Sequence, residues 1–553
     1  MAKSYRPVDR DQPFLFPPDM REWLPADHPV WLVITVVDGH LDTSAFHARR
    51  KTGGAGTAGY DPDMLATVLV RAYAHGVTSS REIERLCGTD VAFRVICAGN
   101  TPDHVTFARF RGDFPEAVAA FFTEVLVLCA RLGMGKLGTV ALDGMKIAAS
   151  ASKAANRTEE GLRKLAAGAV AAHAAADAAE DELFGAGRRG DEVPEEAWSP
   201  QRRGERIRRA LADLEAERKA AEQAEQAKAE AFRERQRSGQ RTGCSPDSAA
   251  VELAEENLAR VRAARAARLA ELEQRYAAGQ PRRGRAARPD AAGVDDHCRV
   301  RQAQARLEAA KARAAGAERK ATERAAARKG PGPVRNITDP DSRLMPVRGG
   351  GFIQGYNAQN MTSEDELIIA TELTDDPVDC RWFEPMLGQA QDAAALIEAH
   401  RPAGGAGPDP ASQDHGGSSG IGIGLALADA GYCSEANLTC PGPDRLIAVG
   451  KHRDLEKAAR GQDGAGADRG GPAIQAMRER LKTDDGITAY RHRGHIAETP
   501  HGHIKHNMGI RQLSMRGKPK ASAEWKFICA VHNLFKALTT GHLTSQALAA
   551  LAS

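Results

Sequence analysis

The sequence predicts a mixed α/β protein with an all-α N-terminal domain and a long helical insertion. Three observations predict it. Residues 60–135 carry apolar side chains at three-and-four spacing, the pattern of amphipathic helices. Two short apolar runs, Val140–Leu142 and Ile421–Ala428, each stop at an aspartate, as buried strands of an α/β sheet do. Residues 157–330 are roughly a quarter Ala and rich in Arg and Glu, a composition that favours long helices. The 553 residues leave room for about three or four domains. The expected division is 1–135 as the helical domain, 136–156 as the first part of an α/β domain, 157–330 as the insertion, and 331–553 as the rest of the α/β domain with C-terminal helices.

The helical elements of the first domain follow in order. Pro62 suits the first turn of a helix, where a missing N–H leaves nothing unpaired. Met64, Leu65, Val68, Leu69 and Ala72 then share one face, and Gly76 ends the helix. Ser79 or Ser80 caps a second helix with Ile83 and Leu86 inward and Arg81 and Arg85 outward. Asp90 caps a third, which carries Phe93, Arg94, Val95 and Ile96. Asp103 or Thr106 opens a fourth with Phe107 and Phe110, bearing Arg109 and Arg111. Short helices, tight turns and outward arginines suit a helix-turn-helix-like module, and equally a plain bundle with solvated charges.

The insertion divides into charged stretches at 202–236, 250–279 and 299–329. Their apolar positions are mostly Ala and Leu, so each buries only a thin stripe. Helical arms, a charged linker, and direct DNA contact through Arg282, Arg283, Arg285 and Arg288 are the three readings. About 36 basic against 30 acidic residues is too small an excess to argue for phosphate binding. Helical arms are the expectation.

Composition excludes several classes. Lys plus Arg is 76 against 73 for Asp plus Glu, a net charge of +3, so bulk charge marks no nucleic-acid binder. No apolar run is long enough for a membrane helix, and the first residues carry no apolar signal-peptide core. Nine cysteines with no C-x-x-C pair point away from a disulfide framework and from a cysteine zinc site, and towards a reducing cytosol.

The chemistry-bearing candidates are three carboxylates. Asp143 is expected to end the strand at Val140–Leu142, and Asp429 the strand at Ile421–Ala428, both at the rim of a sheet where ligands bind. The third, Glu498, opens the C-terminal segment. An aspartate after a strand is often only a turn former, and one alone would mean little. Three together offer the hard oxygen ligands that Mg²⁺ and Mn²⁺ prefer, enough for two ions about 3.5–4 Å apart. Tyr490, Arg493, Glu498 and Lys505 make a Y-x2-R-x4-E-x6-K pattern, and on a continuous helix Glu498 and Lys505 share a face.

With these motifs the chain resembles the DDE transposases of bacterial insertion sequences, in particular those with an N-terminal helical DNA-binding domain and a helical insertion after the first Asp. The resemblance rests on residues 60–111, VALDGMKIAASASK (140–153), NITDPDSR (336–343), GYNAQNM (355–361), LADAGYCSEAN (427–437), E-x3-GHIK (498–505), RQLSMRG (511–517) and EWKFICAVHNLFK (524–536). It implies a ribonuclease-H-like catalytic domain interrupted by the insertion. Asp143, Asp429 and Glu498 match the catalytic, metal-binding carboxylates, with Mg²⁺ as cofactor and Mn²⁺ as substitute. Tyr490, Arg493 and Lys505 match the DNA-binding motif around the last carboxylate.

Arg81, Arg85, Arg94, Arg109 and Arg111 are the candidate contacts to element ends. The resemblance also implies double-stranded DNA as partner, a homodimer in the active complex, and a nucleoid-associated protein of the bacterial cytoplasm. The chain departs from the family pattern in having four residues between Arg493 and Glu498, Ala497 before the Glu, and His501 where an aromatic is expected. The expected function is strand cleavage and strand transfer at the ends of an insertion sequence. A metal-dependent nuclease on the same fold and a catalytically inactive DNA-binding relic are the alternatives.

Overall fold

A computed structural model describes residues 20–48, 59–168, 200–238, 249–279, 293–327, 334–347, 350–402, 422–450 and 470–552. The arginines at 282–288 and the Gly-rich loops expected at 403–420 and 460–471 lie outside these, save the last residues of the second loop. The chain divides into two compact units, one from 1–156 and 336–553, the other from 157–335. Among the described residues, no helix is long and apolar enough to cross a membrane.

In the first unit the N-terminal helices are α1 (Pro29–Gly39), α2 (Pro62–Ala74), α3 (Ser80–Thr89), α4 (Val91–Ile96), α5 (His104–Asp113) and α6 (Pro115–Arg131). Their starts follow the local chemistry. Asp61 accepts the Asp63 N–H ahead of Pro62, Asp90 accepts from Ala92 and Phe93, and Asp103 from Thr106. Gly76 ends α2 at φ +72°, and a Cβ there would stand 2.1 Å from the Met508 carbonyl oxygen, so only glycine fits.

The sheet consists of β1 (Thr139–Ala148), β2 (Arg343–Pro346), β3 (Phe352–Ser363), β4 (Ile368–Thr374), β5 (Leu425–Ala428) and β6 (Asp444–Ile447). Strand order is β2-β3-β1-β5-β6, with β4 also on β3. β3 is antiparallel to β1, β2 and β4, whereas β5 is parallel to β1 and β6 to β5. The insertion leaves β1 and β5 adjacent, Leu142 opposite Ala428. The chain leaves this unit after Asn156 and re-enters at Asn336, and the Asn336 Nδ2 donates to Asn156 Oδ1 at 2.9 Å. The sheet corrects one expectation. Asp143 does not end its strand: pairing to β5 stops at Leu142, but β1 runs on to Ala148 because β3 keeps pairing with it as far as Gly355.

The longer helices after the sheet begins are α7 (Phe383–His400), α8 (Pro472–Arg480), α9 (Asp484–Gly502), α10 (Lys518–Thr539) and α11 (Ser545–Ala552). Ala141, Leu427 and Leu446 form a row across β1, β5 and β6 and pack under Met477, Leu481, Ile496 and Ala497 of the α8–α9 region. A second, larger core joins the N-terminal helices to β1, β3, β4, α7 and α10. The boundary expected at 135 is therefore no boundary in the packing: α6 lies against α10, with Phe121 and Phe527 rings 5.2 Å apart.

Helix α10 is buried on most sides, and its buried polar side chains are matched. Asn533 accepts from Ile368 N–H and donates to Ile368 C=O, closing the edge of β4. His532 gives Nε2–H to the Glu366 carbonyl and faces His503 through Nδ1. Burial first, then His503, Lys536 and His501, push its pKa down to about 3, against only the hydrogen bond to Glu366. The folded state thus binds His532 neutral, while an unfolded histidine protonates near 6.5. Its contribution is present above that pH and lost as pH falls, by about 1.4 kcal/mol per unit. Between pH 6 and 4 His532 should make the unfolding free energy fall by up to about 1.4 kcal/mol per unit, and His532→Gln should flatten the profile by that amount. Parallel profiles would show that His532 is not the group responsible.

The second unit contains helices Pro200–Arg237, Ala250–Ala277 and Cys298–Ala327. Leu258, Val300, Ala303 and Leu307 make one thin apolar seam, and Ala229, Ala249 and Leu253 another.

Candidate active site

Asp143 follows Ala141 on β1 by two residues, so its side chain leaves the sheet on the face covered by α9. Asp429 directly follows β5 and caps a 3₁₀ turn, Ala430–Tyr432: Oδ1 accepts the Gly431 N–H at 2.8 Å, leaving Oδ2 for other partners. The turn-former role is real but uses one oxygen only. Glu498 lies well inside α9 rather than at the opening of the closing segment.

The Arg493 guanidinium, one turn before Glu498, meets all three. Nη2 stands 3.3 Å from Asp143 Oδ1 and 3.9 Å from Asp429 Oδ2, and Nη1 stands 3.7 Å from Glu498 Oε1. Arg493 is 13% exposed, against 18%, 44% and 66% for Asp143, Asp429 and Glu498, so the cluster opens from a buried floor to an accessible rim. Among the described residues, His47, Asp61 and Asp63 bring ligand atoms within 4.8 Å of one another, closer than the three carboxylates come around Arg493. That group is explained locally, since Asp61 caps α2 and His47 pairs with Asp63 at 3.0 Å.

The electrostatics are those of crowded carboxylates. Burial works to raise the Asp143 pKa, but the hydrogen bond and charge of His501, with Arg493, outweigh it and hold the group below its ordinary value. Burial, then the neighbouring Asp143 charge, raise Asp429, with Arg493 opposing. Tyr490 donates to the Ala428 carbonyl at 3.3 Å, tying α9 to the end of β5, and burial pushes its hydroxyl up to about 12. Burial lowers the pKa of Lys505, which sits close enough to feel Asp143.

The geometry around Lys505 corrects the expectation of one continuous helix. Pro500 has no N–H to give the Ile496 carbonyl, and α9 passes into a π turn, His503–Asn507. The wider turn breaks the seven-residue register that would place Glu498 and Lys505 on one face.

The N-terminal arginines separate into distinct kinds. Arg81 and Arg109 are exposed. Arg85 is exposed and paired with Glu82, and Arg94 lies over the Trp23 ring, 5.2 Å from its centroid. Arg111 is a correction. It is 8% exposed and donates to Tyr73 Oη, the Thr78 carbonyl, Ser514 and Ser80, because α5 packs on α10 and turns it inward.

Other groups beside the carboxylates carry no obvious mark in the sequence. Asp379 accepts from Lys146, Asn357 and Gln359, and Tyr432 bonds Gln359. A Cβ on Gly144 would lie 2.7 Å from Asp379 Oδ1, so a glycine after Asp143 makes room for that network. The alternation of Asn357 and Gln359 on β3 is the one signal that places them on a common face.

Residues 18–113 match a transposase domain (DUF772), and residues 471–538 match a transposase DDE domain. No curated protein and no solved structure matches the chain. Glu498 falls inside the second stretch, and Asp143 and Asp429 outside both. The two matches support a DDE transposase of an insertion sequence, and so an enzyme of phosphoryl transfer on DNA. DDE transposase domains depend on divalent metal ions.

Proposed function

We propose that this transposase binds the ends of its own insertion sequence and catalyses metal-dependent strand cleavage and strand transfer with Asp143, Asp429 and Glu498. The observation that carries the proposal is Arg493: one guanidinium within 4 Å of three carboxylates drawn from β1, the end of β5 and α9. The strand order β4-β3-β1-β5-β6, antiparallel up to β1 and parallel beyond it, supports a ribonuclease-H-like catalytic domain.

The donor set fits divalent cations. All three ligands are carboxylates, the hard oxygen donors of Mg²⁺, with Mn²⁺ as substitute, and burial first, then the Asp143 charge, raise the Asp429 pKa, both of which a bound cation would oppose. Such ions would activate a water or a 3′-hydroxyl and stabilise the leaving oxygen. Arg493 supplies the balancing charge and holds the carboxylates in register. Tyr490 fixes α9 against β5, and Lys505 offers a cation to a DNA phosphate beside Asp143. The working form is a homodimer on double-stranded DNA at the nucleoid. Cleavage and strand-transfer assays on pre-cut and uncut element ends test the proposal; cutting without joining would leave a nuclease.

End recognition falls to the N-terminal helices, with Arg81 and Arg109 as the exposed candidates. Each phosphate contact removed lowers the slope of log K against log salt by about 0.9. The double variant Arg81→Ala/Arg109→Ala in the full chain should therefore lower the slope by about 2, as read by fluorescence anisotropy across a salt series. An unchanged slope would move phosphate binding elsewhere on the chain.

A further inference from the structure

The geometry points to His501 as a positioning residue that donates a proton-bearing Nδ1 to Asp143, with its tautomer set by a buried chain from Trp525 through Thr371 and Asn360. This rests on the reading of Asp143 as a reacting-site carboxylate.

The chain of donors runs in one direction. Trp525 Nε1 can only donate, and it lies 2.8 Å from Thr371 Oγ1. Thr371 therefore accepts there and gives its own proton to Asn360 Oδ1 at 2.6 Å, which the indole N–H also approaches at 3.3 Å. With its oxygen taken by these donors, Asn360 turns its amide nitrogen to His501 Nε2, 3.0 Å away. An amide nitrogen has only protons to offer, so Nε2 accepts and the ring's own proton sits on Nδ1. Nδ1 faces Asp143 Oδ2 at 3.5 Å, while the other oxygen, Oδ1, faces Arg493.

Every member of the chain is inside the protein. Trp525, Asn360, Thr371 and His501 are at most 8% exposed. Asn360 is the cross-strand partner of Asp143 on β3 and of Thr371 on β4, which puts the three side chains on one face of the sheet. The site of Asp143 is thus braced on both oxygens, by Arg493 from one side and by the imidazole from the other. A phenylalanine at 501 could fill the same space but could not hold Oδ2. Outer partners that orient a metal-binding carboxylate commonly change metal affinity or activity 10–100-fold.

Two variants and one spectrum test this. In the histidine-labelled full chain, long-range ¹H–¹⁵N correlation should show His501 with the proton on Nδ1, the signal being assigned by its loss in His501→Asn. A proton on Nε2 overturns the proposal whatever the variants do. The amide nitrogen of Asn can take the place of Nδ1, so His501→Asn should keep strand cleavage within about tenfold of the parent. His501→Phe should lose about 10–100-fold and need about 10–100-fold more Mn²⁺ for half-maximal thermal stabilisation. A purely packing role predicts the reverse order, with Phe better than Asn, and that order overturns the proposal. If Asp143→Asn cleaves normally while the Nδ1 tautomer is seen, the reading of the carboxylates fails instead.

Discussion

Replacement of Asp143 by Asn is expected to lower strand cleavage by at least about a thousandfold, about 4 kcal/mol in the barrier, while DNA binding stays within about twofold. The substitution keeps the shape of the side chain and an acceptor for the His501 ring. What it removes is the charge on the most buried of the three carboxylates. Arg493 retains Asp429 and Glu498 as partners, so no buried cation is abandoned and the fold should hold. Relief of Asp429 from the like charge of Asp143 offsets part of what the fold loses with the Arg493 and His501 contacts to that carboxylate. The effect should therefore appear in cleavage and in Mn²⁺-induced thermal stabilisation, with little change in melting temperature without metal. Cleavage within tenfold of the parent would remove Asp143 from the chemistry.

The strand bearing Asp143 and the one ending before Asp429 were legible because parallel strands buried on both faces need continuous apolar runs, although the second spans only Leu425–Ala428 of the expected Ile421–Ala428. The capping aspartate at 90, and the one at 103 with Thr106 as its alternative, were legible for a local reason too: a cap needs only its own next three residues. The full length of β1 was not legible, since its second half is held by β3, more than 200 positions later. The same holds for β3 itself. Tyr356, Asn357, Gln359 and Asn360 are polar, yet at most 1% exposed, and their burial is tolerable only because Asp339, Asp379, His501, Thr371 and Trp525 come from elsewhere to bond them. A polar strand reads as a surface strand until its partners are known. The motif pieces NITDPDSR, RQLSMRG and EWKF prove to be parts of such clamps: Asp339 holds Tyr356 and Gly517, and Glu524 accepts the N–H groups of Ser514 and Met515. In the sequence Arg493 reads as part of a DNA-binding pattern, and its place among the carboxylates depends on α9 folding back over β1 and β5.

Arg111 shows the same limit most sharply, and its replacement gives the largest expected effect on stability. Its position after Arg109 on α5 reads as one more outward arginine. In the fold it is joined to Glu524 through Tyr73, whose hydroxyl accepts from Arg111 at 2.7 Å and donates to Glu524 at 2.8 Å. Ser514 bridges the same two groups. Glu524 is 3% exposed, so Arg111→Met would leave a carboxylate in the core without its compensating charge. Breaking one side of a buried charge pair costs about 3–5 kcal/mol. The urea midpoint of Arg111→Met should fall accordingly with the slope unchanged. At low temperature, affinity for element-end DNA per folded molecule should match the parent. The double variant Arg111→Met/Glu524→Gln should recover part of the loss, because it removes the stranded charge as well. If Arg111 instead touches DNA, the midpoint stays put and the affinity falls, and that pattern would reject the structural role.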